Sequence, residues 1–273
     1  MKLKINGQTH SFDRPQSLCD VAEHLNIHGI LAATVNGRLR ELSYIETKDA
    51  EVEFLGYDHP DAIRVYESTL RYVIAMAVKN IMPSVKVRFN YSISRSILAV
   101  LDNYDGPVNH AVVNVIKDEV DRLIKANLTI VRKRVSIGEA TKLYTELGMP
   151  DKVDILEYRE EDYVNLYECD GYINYMFGYM LPKTGLLDQY RVFPYHPGFI
   201  IQYPRAELGG DIPQFKDEPT FGKALKEAAK WGKIIQGNSI PKINEYAKDF
   251  HSAVDFVNMC ETKHNHQLNE LGD

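Results

Sequence analysis

The chain has 273 residues, 44% of them hydrophobic and 26% charged, and carries a net charge of −6. That length makes two domains the default, and the apolar content supplies a core and excludes a disordered chain. The acidic balance weighs against a nucleic-acid binder that works by bulk charge and leaves such binding to a local basic patch.

Cys19, Cys169 and Cys260 stand far apart, which is no disulfide framework and fits a reducing compartment. The opening MKLKINGQTHSF lacks the apolar stretch of a secretory signal, and no run approaches the roughly 18 apolar residues of a membrane span. The expectation is a soluble, cytoplasmic protein with no membrane partner.

Residues 1–57 read as a small α+β unit. Met1–Ile5 alternates, Asn6-Gly7 is a type I′ turn signal, and Thr9–Phe12 returns. Ser17 caps a predicted helix through Asn26, with Leu18, Val21, Ala22 and Leu25 on one face. Leu31–Val35, a second Asn-Gly turn at Asn36-Gly37, Arg38–Leu42 and Ala50–Leu55 complete the segment. Hairpin, helix, hairpin, strand is the order of a ubiquitin-like β-grasp fold.

Residues 58–205 read as a longer α+β segment. Tyr66, Leu70, Val73, Ala77 and Ile81 recur at helical spacing over Ile63–Met82, which Pro83 stops. Lys86–Val100 is strand-like, and Val112–Ala126 is a second helix with Val115, Val120 and Leu123 inward. Ile130–Val135 reads as a strand. Ser136 and Glu139 form a capping box for a helix over Ile137–Leu147. Val153–Tyr158, Val164–Cys169, Tyr172–Phe177 and Phe199–Tyr203 read as strands. In residues 206–273, Thr220 caps a helix through Gln236 that Gly237 ends, and Pro241 starts another that includes Ile243, Tyr246, Phe250, Val254 and Val257. The polar tail Glu261–Asp273 closes what reads as a helical connector.

The stretch TVNGRLREL, followed by DAEVEFL, resembles the TGS domain, which is how threonyl-tRNA synthetases begin. The rest resembles the editing module of threonyl- and alanyl-tRNA synthetases. That module carries His-x-x-x-His on a helix and Cys-x-x-x-His before a Pro-x-Thr-Gly-like turn. Histidines at i and i+4 share a helix face, and the Cys and His complete a metal or proton-transfer site. Here YESTLRYVIAMAV stands in place of the first signature and MFGYMLPKTG in place of the second. Aligned on Ala75–Val78, Ser68 and Tyr72 occupy the histidine positions; shifted by one, Glu67 and Arg71 do. Met176 and Met180 occupy the Cys and His positions, while Pro182, Lys183, Thr184 and Gly185 keep the turn. Thioethers suit soft Cu(I) rather than zinc, so Tyr72, Met176 and Met180 are expected to pack, with no metal and no catalytic residue. Lys183, Thr184, Tyr195 and His196 are the polar groups the resemblance puts around the inherited pocket as ligand-binding candidates.

The same order, a TGS domain and then a degenerate synthetase-like module, resembles the front of bacterial uridine-kinase-like nucleoside kinases. YINYMFGYMLPKTGLLDQYRVFPYHPGFIIQYPR, EVDRLIKANLTIVRKRVSIGEATKLY and GKIIQGNSIPKINE carry that resemblance. It implies a P-loop kinase domain in cis, using ATP and Mg to phosphorylate a nucleoside. The P-loop itself is not legible: Gly222-Lys223 is followed by Ala224 and Gly232-Lys233 by Ile234. The leading expectation is therefore a non-catalytic regulatory or ligand-binding region of such a kinase, with a nucleoside, nucleotide or tRNA end in the old editing cleft. The alternatives are a free-standing trans-editing aminoacyl-tRNA deacylase or tRNA-binding protein, and an interaction scaffold.

Three further features have bland readings. His24 and His28 straddle a helix end. Arg132-Lys133-Arg134, with Arg88, Arg95 and Lys125, is either a phosphate patch or a solvated strand end. The aromatic run from Tyr158 to Tyr179 is either a stacking platform or cross-strand core.

Overall fold

Two Asn-Gly pairs shape the first sheet. Asn6 and Gly7 have φ of 50° and 79°, and Asn36 and Gly37 have φ of 50° and 75°, the left-handed pairs that type I′ hairpin turns need. They join β1 (Lys2–Ile5) to β2 (Gln8–Ser11) and β4 (Ile30–Val35) to β5 (Arg38–Arg40). Between the hairpins lie β3 (Gln16–Ser17) and α1 (Leu18–His24), whose N-cap Ser17 accepts a hydrogen bond from the Asp20 amide. β6 (Ile45–Glu46) pairs with β3, and β7 (Ala50–Gly56) enters the middle of the larger sheet. The sheet order is β2-β1-β7-β4-β5, with β1 and β7 parallel and the other pairs antiparallel. Alternation turns Leu3, Ile5, Val35 and Val52 to one face, where they meet Leu18, Val21 and Leu42 in a core of their own. β4 is buried on both faces, because Leu31 and Ala32 join the next core instead.

The computed structural model describes residues 1–272. It is a mixed α+β fold with several sheets and, among the described residues, eight α-helices. Two compact units emerge: Met1–Lys133 with Asn165–Asp217, and Arg134–Val164 with the segment from Glu218 onward. No helix among the described residues is long and apolar enough to cross a membrane.

In the first unit, α2 (Pro60–Ile81) begins with Pro60 in its first turn, where the missing amide costs nothing. It then buries Tyr66, Leu70, Tyr72, Val73, Ile74 and Met76. β8 (Lys86–Ile93) and β9 (Ser96–Asp102) form a hairpin, and α3 (His110–Lys125) packs against α2. The inward residues of α3 are Val113, Ile116, Val120 and Leu123; Val115, expected to point inward, is 55% exposed. At 3.6 residues per turn, Val113 and Ile116 complete the face that Val120 and Leu123 define, and Val115 falls off it.

β10 (Val131–Ser136) leads into α4 (Ile137–Glu146), where Ser136 and Glu139 form the expected capping box. The next segment is corrected: Val153–Tyr158 is not a strand but part of α5 (Pro150–Leu156). Pro150 in the first turn sets a helical φ there, and a short apolar run cannot by itself tell period 2 from period 3.6. β11 (Tyr163–Cys169) pairs antiparallel with β12 (Tyr172–Tyr175).

β13 (Arg191–Tyr195), not anticipated, pairs with β14 (Gly198–Gln202), giving a four-stranded sheet in the order β13-β14-β9-β8. Gly198 sits where β14 lies tightest on β9, and a Cβ there would strike the Ala99 carbonyl oxygen.

In the second unit, α6 (Pro219–Ile234) has Glu218, not Thr220, at its N-cap position; Pro219 sets the start and leaves Thr220 inside the first turn. The single helix expected from Pro241 is two, α7 (Ile240–Ala247) and α8 (Phe250–Gly272). Asp249 makes the break by accepting hydrogen bonds from the Ser252 amide at 2.9 Å and hydroxyl at 3.1 Å, an N-cap in mid-pattern.

Gly198→Ala is expected to lower the thermal midpoint, by about 1–3 kcal/mol in stability if strain is relieved as in overpacked cores. A circular-dichroism melt matching the parent chain would show that β14 does not lie as close to β9 as described.

Candidate functional site

Ser68 and Tyr72 stand one turn apart on α2, and the segment from Met176 to Gly185 faces them. Two threonines fix that segment. Thr69, fully buried, donates its hydroxyl to the Val65 carbonyl at 2.7 Å and accepts the Leu181 amide at 2.8 Å. Thr184, also fully buried, donates to the Leu123 carbonyl at 2.7 Å and accepts the Leu128 amide at 2.9 Å. The Ile130 amide donates to the Pro182 carbonyl at 2.8 Å, and Thr129 bridges Lys183. Gly185 fits against Asn127, whose side chain would collide with any Cβ there. The turn is thereby sewn to α2 on one side and to the end of α3 on the other, and Gly178 comes to rest beside the Ser68 hydroxyl.

The four positions that the sequence resemblance aligns with His, His, Cys and His hold Ser68, Tyr72, Met176 and Met180. Tyr72 is 1% exposed; its hydroxyl lies 2.7 Å from the Tyr172 carbonyl and 3.2 Å from that of Tyr167, and its ring meets Tyr172 edge to face at 5.1 Å. Met180 is 1% exposed and belongs to the same core as Tyr72, against which Met176 packs half-buried. Ser68 is half-buried. Burial, with Cys169 and Tyr172 adding, holds the Tyr72 phenol far above its ordinary range. The Cys169 thiol beside it is pushed up to about 11, by burial first and Asp170 second. Neither group ionises near neutrality on its own, so neither is a ready nucleophile there. A metal of the kind the sequence resemblance implies does not fit this donor set, because a neutral phenol bonded to backbone and two thioethers replace imidazole and thiolate. Among the described residues no cluster of three His, Cys, Asp or Glu side chains stands ready to hold a metal ion.

The shifted pair, Glu67 and Arg71, is engaged elsewhere. Arg71 pairs with Glu67 at 3.2 Å and lies 5.3 Å from the centre of the Phe89 ring. Glu67 accepts the Tyr203 hydroxyl at 2.8 Å, and Arg205 donates to the same hydroxyl at 2.8 Å.

The four ligand-binding candidates are not brought together. Thr184 has its hydroxyl committed inside the fold. Tyr195 donates to Asp217 at 2.7 Å and meets Phe215 at 5.8 Å; burial and Asp217 push its phenol up to about 12. His196 is exposed in the hairpin between β13 and β14. Lys183 alone lines a cleft, of about 370 Å³, with Cys19, Asp20, Glu41, Ser43 and Arg132. Sequence reasoning missed Glu41, which is 7% exposed and accepts the Tyr167 hydroxyl at 2.8 Å. The cleft's residues come from three distant stretches, and only a carboxylate at an inward strand-end position, followed by Leu42, hinted at it.

Of the basic run, Arg132 covers the Tyr179 ring at 5.1 Å, Arg134 covers Tyr163, at 3.3 Å, and Lys133 pairs with Glu168. Phe177, between the two methionines' positions, is 95% exposed. α1 ends at His24, so His24 and His28 share no helix face.

No family model matches the chain. It is similar to threonine–tRNA ligases: 28% identical over 197 residues to that of Thermotoga petrophila, covering 70% of this chain and 30% of the relative. The threonine–tRNA ligase of Enterococcus faecalis is 25% identical over 191 residues, covering 68% of this chain and 29% of the relative. That of Anoxybacillus flavithermus is 27% identical over 163 residues, 59% and 25% of the two chains. The chain spans less than a third of the length of these curated relatives.

The donor set predicts that protein purified without chelators and then dialysed carries no stoichiometric zinc; one zinc per chain by elemental analysis would overturn this. A second prediction concerns alkali. Burial raises the Tyr172 phenol from about 10 to about 12, so the folded state stays neutral where the unfolded state ionises. Its contribution is complete below pH 10 and is lost as pH rises towards 12. Phenolate absorbance should therefore lag a denatured control through that window, and a coincident titration would contradict the burial.

Proposed function

We propose that the surface around Phe177 and Gly178, where the Met176–Gly185 turn lies against α2, receives the acceptor end of a tRNA without hydrolysing what it carries. The observation that carries this reading is a retained frame with replaced ligands. The turn is fixed to α2 through Leu181 and Thr69, while Tyr72 and Met180 occupy the positions where hydrolytic groups would stand. Similarity to threonine–tRNA ligases supports a tRNA-related role over a kinase-related one. In this reading residues 1–57 are a TGS-type β-grasp module, for which the order β2-β1-β7-β4-β5 with α1 speaks. Residues 58–205 are the editing-like domain, and 206–273 the helical connector.

Phe177 gives the reading a specific contact. A side chain 95% exposed and followed by Gly178 is a platform on which an unpaired base can stack. Stacking of this kind contributes about 1–3 kcal/mol per base. Titration of the protein with a labelled acceptor-stem minihelix ending in CCA should give saturable binding that weakens with salt. Phe177→Ala should weaken it roughly 5- to 100-fold, the equivalent of that stacking energy, with no change in the melt. Flat titrations at the highest soluble concentration would remove the proposal.

A second reading keeps the sequence resemblance to nucleoside kinases, carried by GKIIQGNSIPKINE at the end of α6 and the start of α7. There the same surface would be a regulatory site for a nucleoside or nucleotide, and the ATP- and Mg-dependent transfer would belong to a kinase domain in cis. Uridine and its nucleotides, titrated in parallel with the minihelix, separate the two: binding of the small ligands alone favours the kinase reading.

A further inference from the structure

We infer that the cleft lined by Cys19, Asp20, Glu41, Ser43, Arg132 and Lys183 is a binding site for a free α-amino acid. Charge balance is the first reason. Two carboxylates and two cations face one space of about 370 Å³, large enough for any standard amino acid with water. A phosphate or nucleotide would bring its charge against Asp20 and a buried Glu41, whereas a zwitterion matches a lining with separate charges of both signs.

The second reason is an incomplete hydrogen-bond account. Glu41 is 7% exposed, and its Oε2 accepts the Tyr167 hydroxyl at 2.8 Å. Its Oε1 has no donor; Arg132 Nη1 lies 3.9 Å away, beyond hydrogen-bond reach, with its guanidinium held over Tyr179. That oxygen is not sealed in the core but opens to the cleft, where a ligand ammonium would supply the donor that the protein does not. Lys183 is the complementary group. Its backbone is pinned by the bridge to Thr129, and no carboxylate among the described residues pairs with its ammonium. Its charge reaches Cys19, where it opposes the rise that burial and Glu23 impose on the thiol. The ligand's carboxylate therefore meets Lys183, and its ammonium meets Glu41 with Asp20 behind it. No covalent step is involved, and the site stands independently of the tRNA reading.

The test is isothermal titration of the full chain with each standard α-amino acid in turn at millimolar concentration, followed by the N-acetyl and the amide forms of any that bind. At least one amino acid should bind one to one, and both blocked forms should bind at least about tenfold more weakly, each having lost one charged contact. Lys183→Gln, at a half-buried position with no ion pair to lose, should weaken the parent ligand by a similar factor while leaving the ligand-free melt unchanged. Glu41→Gln, which keeps an acceptor for Tyr167, should do the same to binding. Absence of binding by every amino acid, full affinity of the N-acetyl form, or binding unaffected by Lys183→Gln would each overturn the proposal; the last decides the matter even if Glu41→Gln fails to fold.

Discussion

Two buried threonine hydroxyls hold the Met176–Gly185 turn in place. Thr69 and Thr184 each donate to a helix carbonyl and accept a backbone amide from elsewhere in the chain. Each is completely removed from solvent, so each hydroxyl must have both bonds or leave a buried polar group unsatisfied, at about 1–3 kcal/mol apiece. Valine in their place would keep the shape and lose the bonds. The position of Met176, Met180 and Lys183 follows from these contacts, because the turn has no regular secondary structure of its own beyond one short 3-10 turn at Thr184–Leu186.

With that frame fixed, the chemistry of these positions follows from burial. Tyr72 and Met180 lie deep in a core that also contains Tyr66, Leu70 and Phe199. A phenol bonded to two backbone carbonyls rigidifies the junction of α2 with β11 and β12, but it cannot bind a metal while neutral. Tyr72 and Met180 act there as packing groups. On the other side of the same turn, Lys183 faces residues 19–43, so the turn presents an apolar set of side chains to α2 and a charged one to the first sheet's module.

Local signals were legible and tertiary ones were not. The Asn-Gly turns, the Ser17 cap and the Ser136–Glu139 capping box are interactions within a few residues, and the sequence states them directly. The packing of Tyr72, Met176 and Met180 is likewise what their residue types suggest. β13 was invisible because RVFPY contains Pro194 and owes its extended form to pairing with β14. The break between α7 and α8 was missed because the apolar spacing runs on through it, while Asp249 ends one helix and caps the next. Thr184 and Lys183 are neighbours with opposite fates, one sealed inside and one lining a cleft, and no property of the two residue types in isolation decides which is which. Glu41 acquires its role only when Tyr167 and Arg132 arrive from more than ninety residues away.

Binding of an aminoacyl-tRNA end at the turn without hydrolysis separates this protein from an editing enzyme. It is tested most directly by holding labelled aminoacyl-tRNA under an excess of protein and following release of the amino acid, with and without added zinc. Release is expected at the rate seen in buffer alone, or slower where the bound ester is shielded from water, with indifference to zinc. Protein-dependent release that a chelator abolishes would contradict it, because a hydrolytic metal site would then have formed despite Tyr72 and Met180.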